Sequence, residues 1–174
     1  ISEFGKICAK YPDKAREIVT GALRAIHTTE EGSPNKVFIE STAEGRGGYF
    51  YDYTNRARKK HDMGLPLNQM DYKFHFFPWY EEPRNRLANP ETVLINAECE
   101  EYFQDLGNKY GIKTTPEQRA WYVTEAGDLD DDMKREHPST PDEPFEAVIK
   151  GAYWSKLLSK IRGKKQIGRV PHDP

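Results

Sequence analysis

The sequence predicts an α/β fold: part of a layer of parallel strands with helices, followed by a mostly helical second half. Two observations predict it. Helical periodicity and short strand-like runs alternate through residues 1–80, the pattern of a parallel α/β layer. After Trp79 the character changes, with Asn89, Pro83 and Pro90 marking a break, and the remaining periodic segments are all helical.

Each element has a local cause. Tyr11-Pro12-Asp13 opens a helix, since proline suits a first turn, and Ala15, Ile18, Val19, Ala22, Leu23 and Ile26 repeat on one face. A polar loop over 28–35 leads to Lys36-Val37-Phe38-Ile39-Glu40, read as a short buried strand. That strand ends in the turn Ser41-Thr42-Ala43-Glu44-Gly45-Arg46-Gly47-Gly48. Residues 49–60 return to helix, and Tyr72-Lys73-Phe74-His75-Phe76-Phe77 reads as a second strand stopped by Pro78, with His75 a core or edge residue on it. Ile95, Cys99, Tyr102, Phe103 and Leu106 mark an amphipathic helix closed by Gly107 or Gly111. Thr115-Pro116-Glu117-Gln118 is a capped start for a helix expected to reach about Arg135. His137-Pro138-Ser139-Thr140-Pro141 breaks it, and a last helix is expected over 152–162.

The 174 residues suit one domain with an appended subdomain. The chain is polar, 36% hydrophobic and 31% charged, with a mean hydropathy of -0.88. No run approaches the roughly 18 apolar residues of a membrane helix, and no signal peptide opens the chain. A cytoplasmic setting follows, in which Cys8 and Cys99 serve as small apolar residues on helix faces rather than as a disulfide framework. The net charge of -2 argues against a globally basic nucleic-acid binder. The basic runs at 56–60 and 160–169 and the acidic run at 128–132 read as solvated faces. The polar balance, the start at Ile1 and the stop at Pro174 suggest a piece of a longer protein.

Composition supplies no finished active site. No pair of residues has zinc-ligand spacing, and no glycine-rich loop ends in Lys-Ser/Thr, so nothing here cradles a triphosphate. Gly45-Arg46-Gly47-Gly48 fails the dinucleotide pattern and reads as a tight strand-to-helix connection. His27, His61, His75, His137 and His172 are scattered. Position singles out two places: Glu3, where an upstream strand would end, and Ser41-Thr42, just beyond the next strand. In nucleotide-hydrolysing sheets the active residues project from neighbouring strand ends. A glutamate there can orient or deprotonate water, and an adjacent hydroxyl pair can sense the γ-phosphate.

Ile1-Ser2-Glu3-Phe4-Gly5-Lys6-Ile7-Cys8-Ala9-Lys10-Tyr11-Pro12, then Val37-Phe38-Ile39-Glu40-Ser41-Thr42-Ala43-Glu44-Gly45 and Gly48-Tyr49-Phe50-Tyr51, resemble the large terminase subunits of tailed bacteriophages and prophages. The likeness continues through His75-Phe76-Phe77-Pro78-Trp79, Thr115-Pro116-Glu117-Gln118-Arg119-Ala120-Trp121-Tyr122 and Arg135-Glu136-His137-Pro138-Ser139-Thr140-Pro141. It runs nearly the whole chain, in order.

The resemblance implies part of a RecA-like P-loop ATPase sheet over 1–80, a helical lid-like subdomain over 81–162, and a linker over 163–174, Asp173 included, toward a nuclease domain. It implies Glu3 as the catalytic glutamate, with Ser2 in the place of an aspartate that helps to hold Mg²⁺; a hydroxyl there brings no charge. Ser41-Thr42-Ala43 matches the motif that links phosphate release to movement. The intact protein would use ATP and Mg²⁺, with neither expected on this piece, which would be inactive alone without its phosphate-binding loop. Implied partners are double-stranded DNA, a portal protein, a small terminase subunit and further copies in a ring on the portal. Two alternatives stay open: a metal-dependent nuclease fragment, for which Asp52, Asp71 and Glu98 are the candidate carboxylates, and a non-enzymatic module whose helical half docks a portal or small terminase subunit.

Overall fold

The computed structural model describes residues 1–26 and 36–146. Two short helices, α1 (Phe4–Lys10) and α2 (Pro12–Glu17), are divided at Tyr11-Pro12, with the proline in the first turn of α2. α2 widens into a single π turn at Ile18–Ala22. α3 (Gly48–Asp62) starts after the glycine-rich turn. Gly48 has φ +79°, and a Cβ there would lie 3.2 Å from Cys8 Cβ, so the glycine permits both the turn and the approach of α1. Phe4, Ala15 and Val19 form a small core over which Ile7, Ile39, Phe50 and Tyr53 pack.

The second half is built on a helical pair. α4 (Ala97–Tyr110) is capped by the Asn96 side chain, which accepts from the Cys99 amide, and ends at Gly111 with φ 69°. α5 (Pro116–Leu129) has the full capping box, Thr115 accepting from the Gln118 amide and Gln118 accepting from the Thr115 amide. It ends earlier than expected, because Asp130 takes a positive φ (47°) that the helix cannot continue through, and a 3₁₀ turn at Asp130–Asp132 leads into the short α6 (Met133–Glu136). A last turn, α7 (Glu143–Glu146), closes the described chain. Trp79, Phe103, Leu106, Tyr122 and Met133 make this half's core. Among the described residues no helix is long and apolar enough to cross a membrane.

The α/β expectation, with its partial RecA-like sheet, is corrected: among the described residues there is no strand or sheet, only helices joined by irregular segments. β-propensity favours a pleated surface but does not create one, because a ladder needs successive partners. Residues 38–40 meet the chain start through three bonds. The Ile1 amino group donates to the Phe38 carbonyl, the Glu40 amide donates to the Ile1 carbonyl (3.0 Å), and the Phe4 amide donates to the Glu40 carbonyl (3.2 Å). There α1 begins and the pairing stops. Residues 72–77 spend their aromatic rings differently: Tyr72 stacks on Tyr53 and Phe74 lies against His61, both on α3. His75 is accordingly not a strand residue; it is exposed and stacked on Phe77. In the acidic run Asp128, Asp130 and Asp131 are exposed, as a solvated face requires, while Asp132 pairs with Arg135 at 3.4 Å. The expectations for His27, the 28–35 loop, the 152–162 helix, the 163–174 linker, the 160–169 basic run and His172 lie outside the described residues.

Candidate active site

The bonds between the chain start and residues 38–40 fix where the candidate residues emerge. Immediately beyond them, the Gly5 amide donates to Ser41 Oγ at 2.9 Å, and that hydroxyl donates to the Thr42 carbonyl at 2.6 Å. Gly5 is required by this approach: a Cβ there would lie 2.7 Å from the Thr42 carbonyl oxygen and 2.8 Å from Ser41 Oγ. Glu3 and the Ser41-Thr42 turn are thereby brought together from positions nearly forty residues apart. Ser2 is exposed beside Glu3.

Glu3 sits at the N-cap of α1 with φ 56° and ψ 33°. A non-glycine residue in this left-handed region carries about 1–3 kcal/mol of strain. Its carboxylate does not cap the helix; Oε2 lies 2.9 Å from Lys6 Nζ. That hydrogen bond is the main reason the Lys6 ammonium is held above its ordinary value, with Glu136 and Glu44 adding attraction.

Thr42 carries a second irregularity. Its hydroxyl is buried and has no hydrogen-bond partner, the one such side-chain atom among the described residues. An unpaired buried hydroxyl costs about 1–3 kcal/mol. Next to it Ala43 is buried, and Glu44 lies 3.8 Å from Arg135, which is also paired with Asp132 and with Glu136 at 3.0 Å. Charges from α1, the 41–44 turn and α6 therefore gather at one rim.

These residues do not by themselves fit a triphosphate with Mg²⁺. Glu3 is one carboxylate already paired with a lysine, Ser2 adds only a neutral hydroxyl, and no group of three metal-binding side chains occurs among the described residues. The nuclease candidates stay apart: Asp52 is on α3, Glu98 is on α4, and Asp71 is paired with Lys60.

A second polar cluster was not anticipated from the sequence. Tyr102 on α4 donates to Glu143 Oε1 at 2.8 Å and lies 2.7 Å from Ser139 Oγ, which also accepts from Trp79 Nε1 at 2.7 Å. The Ser139 amide donates to Glu143 Oε2 at 2.6 Å. Burial pushes the Glu143 carboxyl and the Tyr102 and Tyr122 hydroxyls above their ordinary values. Ser139 is 1% exposed, so the cluster holds structure and is closed to substrate. Its one sequence signal is the Pro138-Ser139-Thr140-Pro141 run, which reads locally as a helix break.

Compared with known proteins, the chain matches no family model, no curated protein and no solved structure.

Proposed function

We propose that this chain is part of an ATP-driven motor that moves viral double-stranded DNA into capsids, of the kind found in terminase large subunits of tailed phages. Glu3 is then the residue that orients the attacking water, and the Ser41-Thr42 turn passes the loss of phosphate to the helical half. The observation that supports this reading is the contact between the two places: the Gly5 amide, two residues beyond Glu3, is held by the Ser41 hydroxyl. Strained backbone at Glu3 and an unpaired hydroxyl at Thr42 add to it, since such costs gather at working sites. The ordered sequence likeness supplies the reaction. The fold does not, because the expected sheet is absent from the described residues.

Phosphate-gripping groups, Mg²⁺ and DNA would come from outside these residues, and DNA contacts would go mainly to phosphates and weaken with salt. The test is made in the full packaging protein. Glu3→Gln is expected to abolish ATP hydrolysis while leaving nucleotide binding, and Thr42→Val to keep hydrolysis while slowing DNA movement. Full hydrolysis by the Glu3→Gln protein would sink the reading.

A further inference from the structure

Two packed cores meet at a seam closed by ion pairs and by the buried ring of Phe145. The first comprises α1, α2 and α3 together with residues 71–74, which are held on α3 by the Tyr72–Tyr53 stack (5.4 Å between centroids), by Phe74 against His61 (5.9 Å) and by the Lys60–Asp71 pair. The second begins at Trp79, whose ring lies 4.8 Å from that of Tyr122. Between them runs His75-Phe76-Phe77-Pro78, with Phe77 80% exposed. Residues 138–146 then return across the seam as a strap.

The strap is fixed differently on its two sides. Toward the helical core, Ser139 and Glu143 are held by Trp79 and Tyr102 through the buried bonds given above, and the Trp79 amide donates to the Pro138 carbonyl at 3.3 Å. Toward the first core it offers Asp142 to Arg58 through two bonds (2.6 and 3.0 Å) and Glu146 to Arg46 (2.7 Å); the acidic side chains are more than half exposed, and Arg58 is 26% exposed. Arg135 reaches Glu44 at 3.8 Å, and the ring of Phe145 meets Tyr51 at 5.1 Å and Phe50 at 6.4 Å. Both pairs are screened by salt, the exposed Arg46–Glu146 pair being the weaker and the two-pronged Arg58–Asp142 pair the stronger. A satisfied buried network is costly to break.

We infer that the 138–146 strap moves as one body with the helical core, and that the seam against α3 opens about residues 75–78. The Arg58–Asp142 and Arg46–Glu146 pairs close this hinge, and salt loosens it. The device does not depend on which reaction the protein performs.

Hydrogen exchange on the whole chain tests it. Asp142→Asn is expected to speed exchange of the Gly48–Asp62 amides by about two- to fivefold. α4 and α5, and the fluorescence of the Trp79 that Ser139 holds, should not change. About 1 M salt, where screening acts over ~3 Å, should do the same to the unaltered chain and add little to Asp142→Asn. Because Arg58 also pairs with Asp62 at 3.4 Å, the pair is isolated by a double change: Asp142→Asn should add little to Arg58→Gln. No change in α3, an equal rise in α4 and α5, or full additivity of the two changes overturns the hinge.

Discussion

The two cores solve the same problem with different materials. Around α4 and α5, large aromatic side chains stack on one another and a polar network runs between them: Trp79 lies on Trp121 and Tyr122, and Ser139, Glu143 and Gln118 are all bonded. Around α1, α2 and α3 the buried residues are Phe4, Val19, Ala15, Ala43 and Ala57, joined to a left-handed glutamate and a threonine hydroxyl left unpaired. Satisfied networks and interlocking rings specify one arrangement. Small side chains with stored strain specify an arrangement less strongly. The difference assigns the helical half the part of frame, and the half with Glu3 and Ser41-Thr42 the part that can rearrange.

The largest way to break this contrast is to remove the ring that organises the frame. Trp79→Ala deletes a 3%-exposed side chain and leaves the Ser139 hydroxyl without its indole donor. A loss of about 3–5 kcal/mol is expected, read by denaturant unfolding. A loss under about 1 kcal/mol would remove the distinction between the cores.

Gly5→Ala strikes the other core. The added methyl would meet the Thr42 carbonyl, which is backbone and cannot swing aside. A cost of about 1–3 kcal/mol is expected, with faster hydrogen exchange in α1 and in the turn after residue 40 while α4 and α5 keep their protection. Loss of protection in both halves together would show one cooperative unit.

A third change sharpens the contrast through pH. Burial raises the Glu143 carboxyl above its ordinary 4.5, against the opposing pull of its Ser139 and Tyr102 bonds. A raised folded value means that the protonated form is favoured by folding. Its contribution is therefore full below about 4.5, falls as pH climbs from there, and is spent once pH passes the folded value. Glu143→Gln cannot ionise, so the stability of this variant relative to the unaltered protein should grow across that window and be level below it. Thermal unfolding from acid to neutral pH measures this, and parallel curves would contradict it.

What the sequence made legible was local. The capping box at Thr115, the proline opening of α2 and the glycine that ends α4 each depend on neighbours a few residues away, and each stands where expected. The strands depended on partners instead. The β-branched and aromatic run at 36–40 found only three bonds with the chain start, and 72–77 gave its rings to α3. Glu3 and Ser41-Thr42 were expected at neighbouring strand ends of a shared sheet; no strand forms among the described residues, and they are linked instead through the Gly5–Ser41 bond. Lys6 and Arg135 at the same rim did not, nor did the Glu143 cluster, where residues as much as sixty apart in sequence converge.

The smallest expected effect isolates the unpaired hydroxyl. Valine matches threonine in shape, so Thr42→Val keeps the packing beside Ala43 and removes the one buried donor with no partner among the described residues. The Gly5–Ser41 contact uses the Ser41 hydroxyl and the Thr42 backbone carbonyl, neither of which changes. Removing an unsatisfied group should therefore leave stability unchanged or raise it by up to about 1 kcal/mol, as read from the unfolding midpoint. A loss of that size instead would mean that the hydroxyl has a partner in solution. Thr42 would then be an ordinary bonded residue, and the contrast with the helical core would rest on the strained backbone of Glu3 and on the smaller side chains packed around it.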